Sequence, residues 1–229
     1  MGSSEAPDAA LTERPEAIAL LSGASLVGFA DVQAVAPLPR AVAIAIRHSP
    51  EVFGIAEEMP TCSYYQEYLD LNRRLDEIAA VAAEALQKSG HTARISPATL
   101  AEIAPDTLAA PFPHKTAATR GGLGWIGTSA LLVNPRFGPA LRLVTVLTDA
   151  PLLTGAPVQT SECGECTACK EACPGDAISG EEWHPGRPRE EFYDAFACGQ
   201  AVLARAQAIG ITETVCGICM MACPGRPER

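Results

Sequence analysis

Eight of the nine cysteines in this 229-residue chain lie near its C-terminus, in two runs. The first run is Cys163-Gly-Glu-Cys166-Thr-Ala-Cys169-Lys-Glu-Ala-Cys173-Pro174. The second is an isolated Cys198 followed by Cys216-Gly-Ile-Cys219-Met-Met-Ala-Cys223-Pro224. Three cysteines at three-residue steps, with a fourth before proline, are the pattern by which bacterial ferredoxins bind 4Fe-4S clusters. The spacing therefore predicts two 4Fe-4S clusters and an electron-transfer role.

The fourth cysteine of such a run normally binds the other cluster, because the loop itself is too short to close around the cube. We therefore assign one cluster to Cys163, Cys166, Cys169 and Cys223, called the first thiolate set below. The other cluster is assigned to Cys173, Cys198, Cys216 and Cys219, called the second thiolate set. Backbone N–H groups in these loops turn toward the sulfurs and help to set the reduction potential.

Zinc and disulfide bonds are the alternatives for these cysteines. Zinc also takes four thiolates, but usually from two separated Cys-x-x-Cys pairs, without a third cysteine at the same step. Disulfides need an oxidising compartment, and the N-terminus Met-Gly-Ser-Ser-Glu-Ala-Pro-Asp has neither the basic start nor the apolar core of a secretory signal. We therefore expect iron–sulfur clusters in a cytoplasmic protein.

The composition is that of a compact protein with a sizeable core. Hydrophobic residues make up 48% of the chain and charged residues 19%, and no apolar run is long enough to cross a bilayer. The formal net charge of −10 disfavours nucleic acid as a partner, because binding to nucleic acid rests largely on Lys and Arg. The oligomeric state is left open.

Hydrophobic patterning ahead of the cysteines predicts separated helices and strands. A first helix is expected from Thr12 to about Gly23, followed by strands at 25–32 and 41–46. The clearest helix follows Pro60 and ends near Gly90, with apolar residues at Tyr68, Leu71, Leu75, Ile78, Ala82 and Leu86. A further strand is predicted from Leu141 to Leu147, and residues 150–160 form a linker. These elements indicate an α+β core followed by a ferredoxin-like module.

Several motifs carry a resemblance to a known family. They are His114-Lys115-x-x-Ala118-x-x-Gly-Gly-Leu-Gly-Trp-Ile-Gly127, Asn134-x-x-Phe137-Gly138-Pro139, Thr148-Asp149 and Tyr64-Tyr65-Gln-Glu-Tyr68. With the order of the cluster cysteines, they make residues 25–224 resemble epoxyqueuosine reductases and their short double-cluster relatives. The related reductive dehalogenases use such clusters to reduce the cobalt of a corrinoid.

The resemblance implies a nitroreductase-like α+β core at residues 1–150 that holds a corrinoid, cobalamin, beside the nearer cluster. A ferredoxin-like double 4Fe-4S module would occupy residues 151–229. FMN is the alternative cofactor, because nitroreductase-like folds commonly hold it.

The glycine-rich turn is the predicted cofactor contact, through Gly122, Gly124, Trp125 and Gly127. Glycine lets the backbone approach a large flat ligand and adopt positive φ angles, and the indole of Trp125 would supply an apolar wall. The alternative is a tight turn between a helix and a strand, with Trp125 as a core residue.

Candidate catalytic residues are His114, Lys115 and Tyr68. A histidine titrates near neutrality, which suits proton delivery, and a tyrosine is thought to donate the proton in reductive dehalogenases. The alternatives are a surface pair in a proline-rich loop for His114 and Lys115, and packing for Tyr68. Cys62 lies outside both thiolate sets, and we expect a small buried residue there, with a redox-active thiol as the alternative.

The chain also departs from the epoxyqueuosine reductase pattern. The Asp of the family's Asp-x-x-Pro-x-x-Glu-Arg stretch, its proposed proton donor, aligns with Leu108, and Asp106 lies two residues away. The family's Asp-Tyr-His is Glu67-Tyr68-Leu69 here, and its Gly-Lys and Gly-Ser are Gly127-Thr128 and Gly138-Pro139. These departures make tRNA the lesser substrate hypothesis.

The function predicted first is an oxidoreductase that passes electrons through two 4Fe-4S clusters to a corrinoid, reducing a small molecule or activating the corrinoid. Its partners would be an external donor of the ferredoxin or flavodoxin type and either a small-molecule substrate or a partner corrinoid enzyme. The alternatives are a non-catalytic electron-transfer or corrinoid-delivery protein and, as the lesser one, an epoxyqueuosine reductase acting on tRNA.

Overall fold

A four-stranded antiparallel sheet forms the centre of the N-terminal part. The structure is a computed structural model that describes residues 19–20, 22–53, 58–99 and 103–225. The strands are β1 (Leu26–Asp31), β2 (Arg40–Arg47), β3 (Ala93–Ser96) and β6 (Leu141–Thr148), in the order β1-β2-β6-β3. Two short strands, β4 (Trp125–Ile126) and β5 (Leu132–Val133), pair with each other as a separate hairpin.

Two helices accompany the sheet, and three lie in the cysteine-rich part. The first two are α1 (Cys62–Lys88) and α2 (His114–Arg120). The others are α3 (Ala168–Glu171), α4 (Ala195–Ala208) and α5 (Ile218–Ala222). Single 3-10 turns at Pro50–Val52 and Arg189–Glu191 complete the regular structure of the described residues. Within these described ranges, no helix combines the length and the apolar character needed to cross a membrane.

The strongly patterned elements were predicted correctly. The strands β1, β2 and β6 and the helix α1 lie within a few residues of their predicted bounds. The predicted helix from Thr12 lies largely outside the described residues, of which 19 and 20 are helical. The strand β3 and the helix α2 were not predicted. His114 and Lys115 begin α2, and therefore do not lie in a proline-rich loop.

Both faces of the sheet are covered, which explains the uninterrupted apolar sequence of β2. Large side chains on one face, among them Val42, Ile44 and Val146, pack against the buried stripe of α1. On the opposite face, alanines of β2 pack with Ala117 and Ala118 of α2. Because the side chains of a strand alternate between faces, β2 presents bulk to α1 and small methyl groups to α2. The helix α2 therefore lies close to the sheet.

The helix α1 begins and ends with recognisable capping features. The hydroxyl of Thr61 accepts a hydrogen bond of 3.1 Å from the backbone N–H of Tyr64, as an N-cap residue does. Gly90, with a φ of +90°, follows the last turn. On the exposed face, Arg73 pairs with Asp70 and Glu77.

The predicted linker at 150–160 has no regular secondary structure, but it is bound to the core. The backbone N–H of Gly155 donates to the carbonyl of Phe29 at 2.8 Å, and that of Val158 donates to Thr119 at 2.9 Å. Leu152 is fully buried. The segment therefore joins the sheet to the cysteine-rich part through fixed contacts.

The turn between α2 and β4 depends on Gly124. Its φ is +152°, and a Cβ atom built there would lie 2.0 Å from the carbonyl oxygen of Val133 in β5. No side chain fits that space, since the obstacle is backbone. The hairpin therefore requires glycine at this position.

We expect Gly124→Ala to lower the free energy of unfolding by about 3 kcal/mol or more, because overlap with backbone cannot be relieved by a rotamer change. Gly90→Ala is the matched control, since Gly90 also has a positive φ but nothing lies within 4 Å of its Cβ position. That control should cost about 1–2 kcal/mol, the penalty for an L-residue in this conformation. Urea unfolding followed by circular dichroism measures both, and equal losses would contradict the assignment of the steric role to Gly124.

Candidate cluster and cofactor site

A cavity of about 740 Å³ lies between α2, β6, the β4–β5 hairpin and the cysteine-rich part. The N-terminal part lines it with, among others, His114, Lys115, Ile126, Leu132, Leu141 and Arg142. The C-terminal part contributes Trp183, Arg187, Arg189 and Phe192. The volume lies within the range of sites for small molecules and cofactors, which is about 300–1,000 Å³. Two of the three predicted catalytic residues thus line the cavity.

His114 is held by two hydrogen bonds. Its Nε2 lies 3.0 Å from the carbonyl oxygen of Pro97 and its Nδ1 lies 2.9 Å from the hydroxyl of Thr145. Since a carbonyl only accepts, Nε2 carries the proton and Nδ1 accepts from Thr145. Burial lowers the pKa of His114 to about 4, although the Pro97 carbonyl acts in the opposite direction. His114 is therefore neutral at pH 7, which differs from the expectation that it titrates near neutrality.

Lys115 lines the cavity without a carboxylate partner among the described residues. Its ammonium group donates a hydrogen bond to the carbonyl of Ala130. Burial lowers the pKa of Lys115 to about 8, the positive charge of Arg189 acts in the same direction, and the thiol of Cys219 opposes them. Lys115 is thus the cavity group that exchanges a proton closest to neutral pH.

Tyr68 lies behind the cavity wall and reaches it through Arg142. The guanidinium carbon of Arg142 lies 4.3 Å from the centre of the Tyr68 ring, which itself stacks with Tyr65 at 6.4 Å. Arg142 lines the cavity and donates to the side-chain oxygen of Asn72 at 2.9 Å. The structure therefore places a cation between Tyr68 and the cavity.

The glycine-rich turn lies against the first thiolate set. Gly122, Gly124, Trp125 and Gly127 are absent from the cavity lining, in which only Ile126 of this turn takes part. A Cβ atom on Gly127 would lie 3.3 Å from the sulfur of Cys163. Trp125 is buried, and its indole N–H has no hydrogen-bond partner among the described residues. The close approach that glycine permits is here an approach to a cysteine sulfur.

Within each thiolate set, cysteines lie near enough for their thiols to affect one another's pKa. Burial raises the pKa of Cys223, and the neighbouring thiols of Cys163, Cys169 and Cys166 raise it further. Burial likewise raises the pKa of Cys219 to about 12, and thiols of the second set contribute, together with Cys169 of the first set. The two sets are therefore adjacent.

The cysteines differ in their exposure. Cys166 is exposed beside an exposed Gly164, whereas Cys169 is buried. All nine cysteines are unpaired, and Cys62 is exposed at the start of α1, so the expectation of a buried residue there was wrong. Within the described part of the chain, no group of three or more His, Cys, Asp or Glu side chains has the arrangement of a site for one metal ion.

One hydroxyl group beside the cysteines was not predicted. The hydroxyl of Thr128 lies 3.1 Å from the sulfur of Cys169. Thr128 follows the glycine turn, so its position in the sequence was the available signal.

A buried polar pair lies apart from the cavity. Nδ1 of His48 lies 2.7 Å from a carboxylate oxygen of Glu67, and Ser49 donates to the other oxygen through both its hydroxyl and its backbone N–H. Burial favours the protonated carboxyl, yet the bonds from His48 and Ser49 prevail and lower the pKa of Glu67. The His48 ring stacks on Tyr64 at 5.2 Å. His48 had been given no role from the sequence.

Comparison with known proteins supports the iron–sulfur interpretation. Residues 162–226 match the family of 4Fe-4S double cluster binding domains. The epoxyqueuosine reductase of Vibrio cholerae is 31% identical over 115 residues, which cover 50% of this chain and 31% of that protein. The chain thus spans about a third of the length of this curated relative.

Two solved structures share the fold. The reductive dehalogenase NpRdhA, in complex with 3-bromo-4-hydroxybenzoic acid, gives a TM-score of 0.70 at 23% identity, covering 94% of this chain and 32% of that one. A reductive dehalogenase structure described in terms of B12-dependent dehalogenation gives 0.65 at 23% identity, covering 99% of this chain and 35% of that one. At such identities the likeness concerns the fold alone.

The C-terminal part is therefore a double-cluster 4Fe-4S binding domain attached to an α+β core, as the fold class predicted. With the sequence relative and the dehalogenase fold, the resemblance to the superfamily of epoxyqueuosine reductases and reductive dehalogenases is confirmed.

The exchange of fourth ligands between the two runs can be tested by alanine substitution. Anaerobically purified protein should contain about eight iron atoms and as many sulfides, the content of two cubes. We expect Cys223→Ala to remove the same cluster as Cys163→Ala does, as judged by iron content and by the electron paramagnetic resonance spectrum of the remaining cluster. Cys62→Ala, the control outside both sets, should keep all the iron. If Cys223→Ala instead lost the cluster that Cys216→Ala removes, the assignment of Cys223 to the first thiolate set would be contradicted.

Proposed function

We propose that this protein is an iron–sulfur oxidoreductase that passes electrons from an external donor through two 4Fe-4S clusters to a corrinoid in the cavity, where a small molecule is reduced. The observation that carries the proposal is the position of the cavity. Lys115 lines it and lies within the electrostatic influence of Cys219 in the second thiolate set. We also propose that residues 1–150 form the corrinoid-binding domain and residues 151–229 the cluster domain.

The lining of the cavity fits a large ligand that is mostly apolar with a polar edge. The side chains of Ile126, Leu132, Leu141 and Phe192 would face a flat ring, and Arg142 would meet polar substituents. The Nε group of Arg189 is buried and has no hydrogen-bond partner among the described residues, and that of Arg187 lies 3.5 Å from a carboxylate oxygen of Glu191. A bound corrinoid would supply a cobalt centre that accepts electrons and delivers them to a substrate.

The donor side would be the first thiolate set. Cys166 is exposed, and Gly164 beside it has nothing within 4 Å of its Cβ position. Cys219 of the second thiolate set is buried, and its thiol raises the pKa of Lys115. A ferredoxin or flavodoxin could therefore approach the first set, whereas the second set lies toward the cavity. This arrangement supports electron flow from the surface inward.

The cavity is basic although the chain is acidic. Among the described residues, five cations and one carboxylate line it, namely Lys115, Arg120, Arg142, Arg187, Arg189 and Glu190. Glu190 pairs with Arg189, and Arg187 pairs with Glu181 and Glu191. Lys115, Arg120 and Arg142 are thus the lining cations without a carboxylate partner in the described part of the chain. Coulomb attraction strengthens away from bulk water, so these cations favour a ligand that carries a negative group. The halogenated benzoic acid bound by NpRdhA is a ligand of that class. We propose an organic anion as the substrate.

The proton for the reduction would come from Lys115. At pH 7 its ammonium is charged, because its pKa of about 8 lies above that pH. His114 is neutral, and both of its ring nitrogens are hydrogen-bonded, to Thr145 and to the carbonyl of Pro97. Its role would be to hold the start of α2, and with it the adjacent Lys115, in place. Tyr68 would act through Arg142, whose guanidinium covers its ring.

Cobalamin titration tests the cofactor directly. Anaerobically purified protein should change the absorption spectrum of cobalamin, with a dissociation constant in the micromolar range. Cofactor released from protein produced with cobalamin available should contain cobalt. No binding at tens of micromolar would overturn the corrinoid proposal. If the released cofactor were FMN and contained no cobalt, the protein would be a flavin enzyme and the corrinoid proposal would be wrong.

Benzoate tests the charge of the cavity. We expect the cluster-loaded protein to bind benzoate about tenfold more tightly than benzamide, and Lys115→Met to abolish that preference, a difference of about 1.4 kcal/mol. Lys88→Met is the control, since Lys88 is exposed and pairs with Glu84 on α1. Isothermal titration calorimetry measures all four combinations.

The pH dependence of benzoate affinity follows from Lys115. The ammonium binds an anion only when protonated, so affinity should be full below pH 7 and fall as the pH rises through about 8. The carboxylate of benzoate stays ionised throughout this range. Arg142 and Arg189 stay charged as well, so Lys115→Met should give a flat profile. A wild-type profile that is flat between pH 6.5 and 9.5 would contradict the role of Lys115.

Epoxyqueuosine reduction is the second candidate, favoured by the sequence relative. Incubation with a tRNA stem loop that carries epoxyqueuosine, in the presence of cobalamin and dithionite, should leave the nucleoside unchanged if the substrate is a small anion. Formation of queuosine, detected by mass spectrometry, would make tRNA the substrate. A protein that binds cobalamin but reduces neither the tRNA stem loop nor an organic anion would be an electron-transfer or corrinoid-delivery protein.

A further inference from the structure

The first thiolate set lies beside a hydroxyl group from outside the cysteine loops. The Thr128 hydroxyl lies 3.1 Å from the sulfur of Cys169. Such contacts to ligating sulfurs are among the interactions by which proteins adjust the reduction potential of iron–sulfur clusters.

Thr128 is held rigidly in a turn of the N-terminal part. Thr128 is 2% exposed, so water does not compete with the Cys169 sulfur for a hydrogen bond to its hydroxyl. The turn is closed by two backbone bonds, from Gly127 to the carbonyl of Leu131 at 2.9 Å and from Ala130 to that of Gly127 at 2.8 Å. Gly127 allows this turn to pass the sulfur of Cys163. The sheet domain thus positions a donor over the cluster domain.

The direction of the hydrogen bond between Thr128 and Cys169 follows from the chemistry of a ligating cysteine. A sulfur that binds iron is a thiolate and carries no proton, so the hydroxyl must donate. When a cluster gains an electron, negative charge on its sulfurs rises and the hydrogen bond strengthens. The donor therefore stabilises the reduced cluster more than the oxidised one and raises the potential.

We propose that Thr128 is a positioning residue that sets the reduction potential of the cluster in the first thiolate set and leaves that of the second set unaffected. The inference rests on the double-cluster domain at residues 162–226 and not on the ligand of the cavity. Each cluster takes up one electron from an external donor, and no covalent bond forms or breaks.

The test is a potentiometric titration of the anaerobic full-length protein with dithionite, followed by electron paramagnetic resonance. We expect Thr128→Val to lower the midpoint potential of the cluster in the first thiolate set and to leave that of the other cluster unchanged. The expected change is about tenfold in the ratio of reduced to oxidised cluster at a fixed solution potential, which is about 59 mV for one electron. Variants of Cys163 and Cys216 identify which signal belongs to which set.

Thr128→Ser is the matched control, because it keeps the hydroxyl and loses only a methyl group. It should leave both potentials at their wild-type values. Unchanged potentials in Thr128→Val, equal shifts of both clusters, or the same shift in Thr128→Ser would overturn the proposal. Loss of iron from Thr128→Val would also overturn the proposal, because the hydroxyl would then be needed to keep the cluster and not to set its potential.

Cobalamin binding separates this inference from the proposed function. Thr128→Val should bind cobalamin as the wild type does, since Thr128 does not line the cavity. A protein that binds no cobalamin but shows the potential shift of the first set in Thr128→Val would contradict the proposed function and leave this inference standing.

Discussion

A loop of three closely spaced cysteines cannot supply the fourth ligand of a cubane cluster, and the C-terminal part of this chain is organised around that constraint. Cys223 lies among Cys163, Cys166 and Cys169, although the whole second run separates it from them in sequence. The helix α4 spans part of this distance and carries Cys198 toward the second set. Under the ligand assignment that we propose, neither run completes a thiolate set alone, so the two runs must fold together.

The composition of one strand determines where the chemistry of the cavity lies. The alanines of β2 leave room for α2 against the sheet, and α2 carries His114 and Lys115 at its start. Thr145 of β6, paired with Ala43, then reaches the His114 ring. A larger side chain at Ala43 would move α2 outward, and both the hydrogen bond and the position of Lys115 would change with it.

Local pattern was sufficient for part of this structure. The apolar run of β2 and the helical spacing of α1 arise from burial of those residues, and the cysteine spacing reflects the geometry of a cluster, so all three could be recognised in sequence. β3 is short, and its Arg94 and Ile95 are exposed, so it shows no alternation. The seven residues of α2 follow Pro113 and are too few to show a period.

Contacts between distant segments could not be predicted in this way. Arg142 over Tyr68, Thr128 against Cys169 and His48 beside Glu67 each join elements far apart in sequence. No periodicity links such residues, because the sheet register and the turn after β4 bring them together. The glycine turn illustrates the difficulty, since its glycines predicted a close approach but not which group is approached.

Net charge is a poor guide to the ligand of this cavity. The formal charge of −10 arises from side chains spread over a surface in contact with water, where the interaction of charges more than about 8 Å apart is largely screened. Lys115 and Arg142 lie at the cavity wall without a carboxylate partner in the described part of the chain, where the effective dielectric constant is lower. Glu162 and Glu165 are exposed beside Cys166, at the opposite end of the proposed electron path. The same acidic chain therefore has a negative surface beside Cys166 and a positive cavity wall, as the proposed function requires.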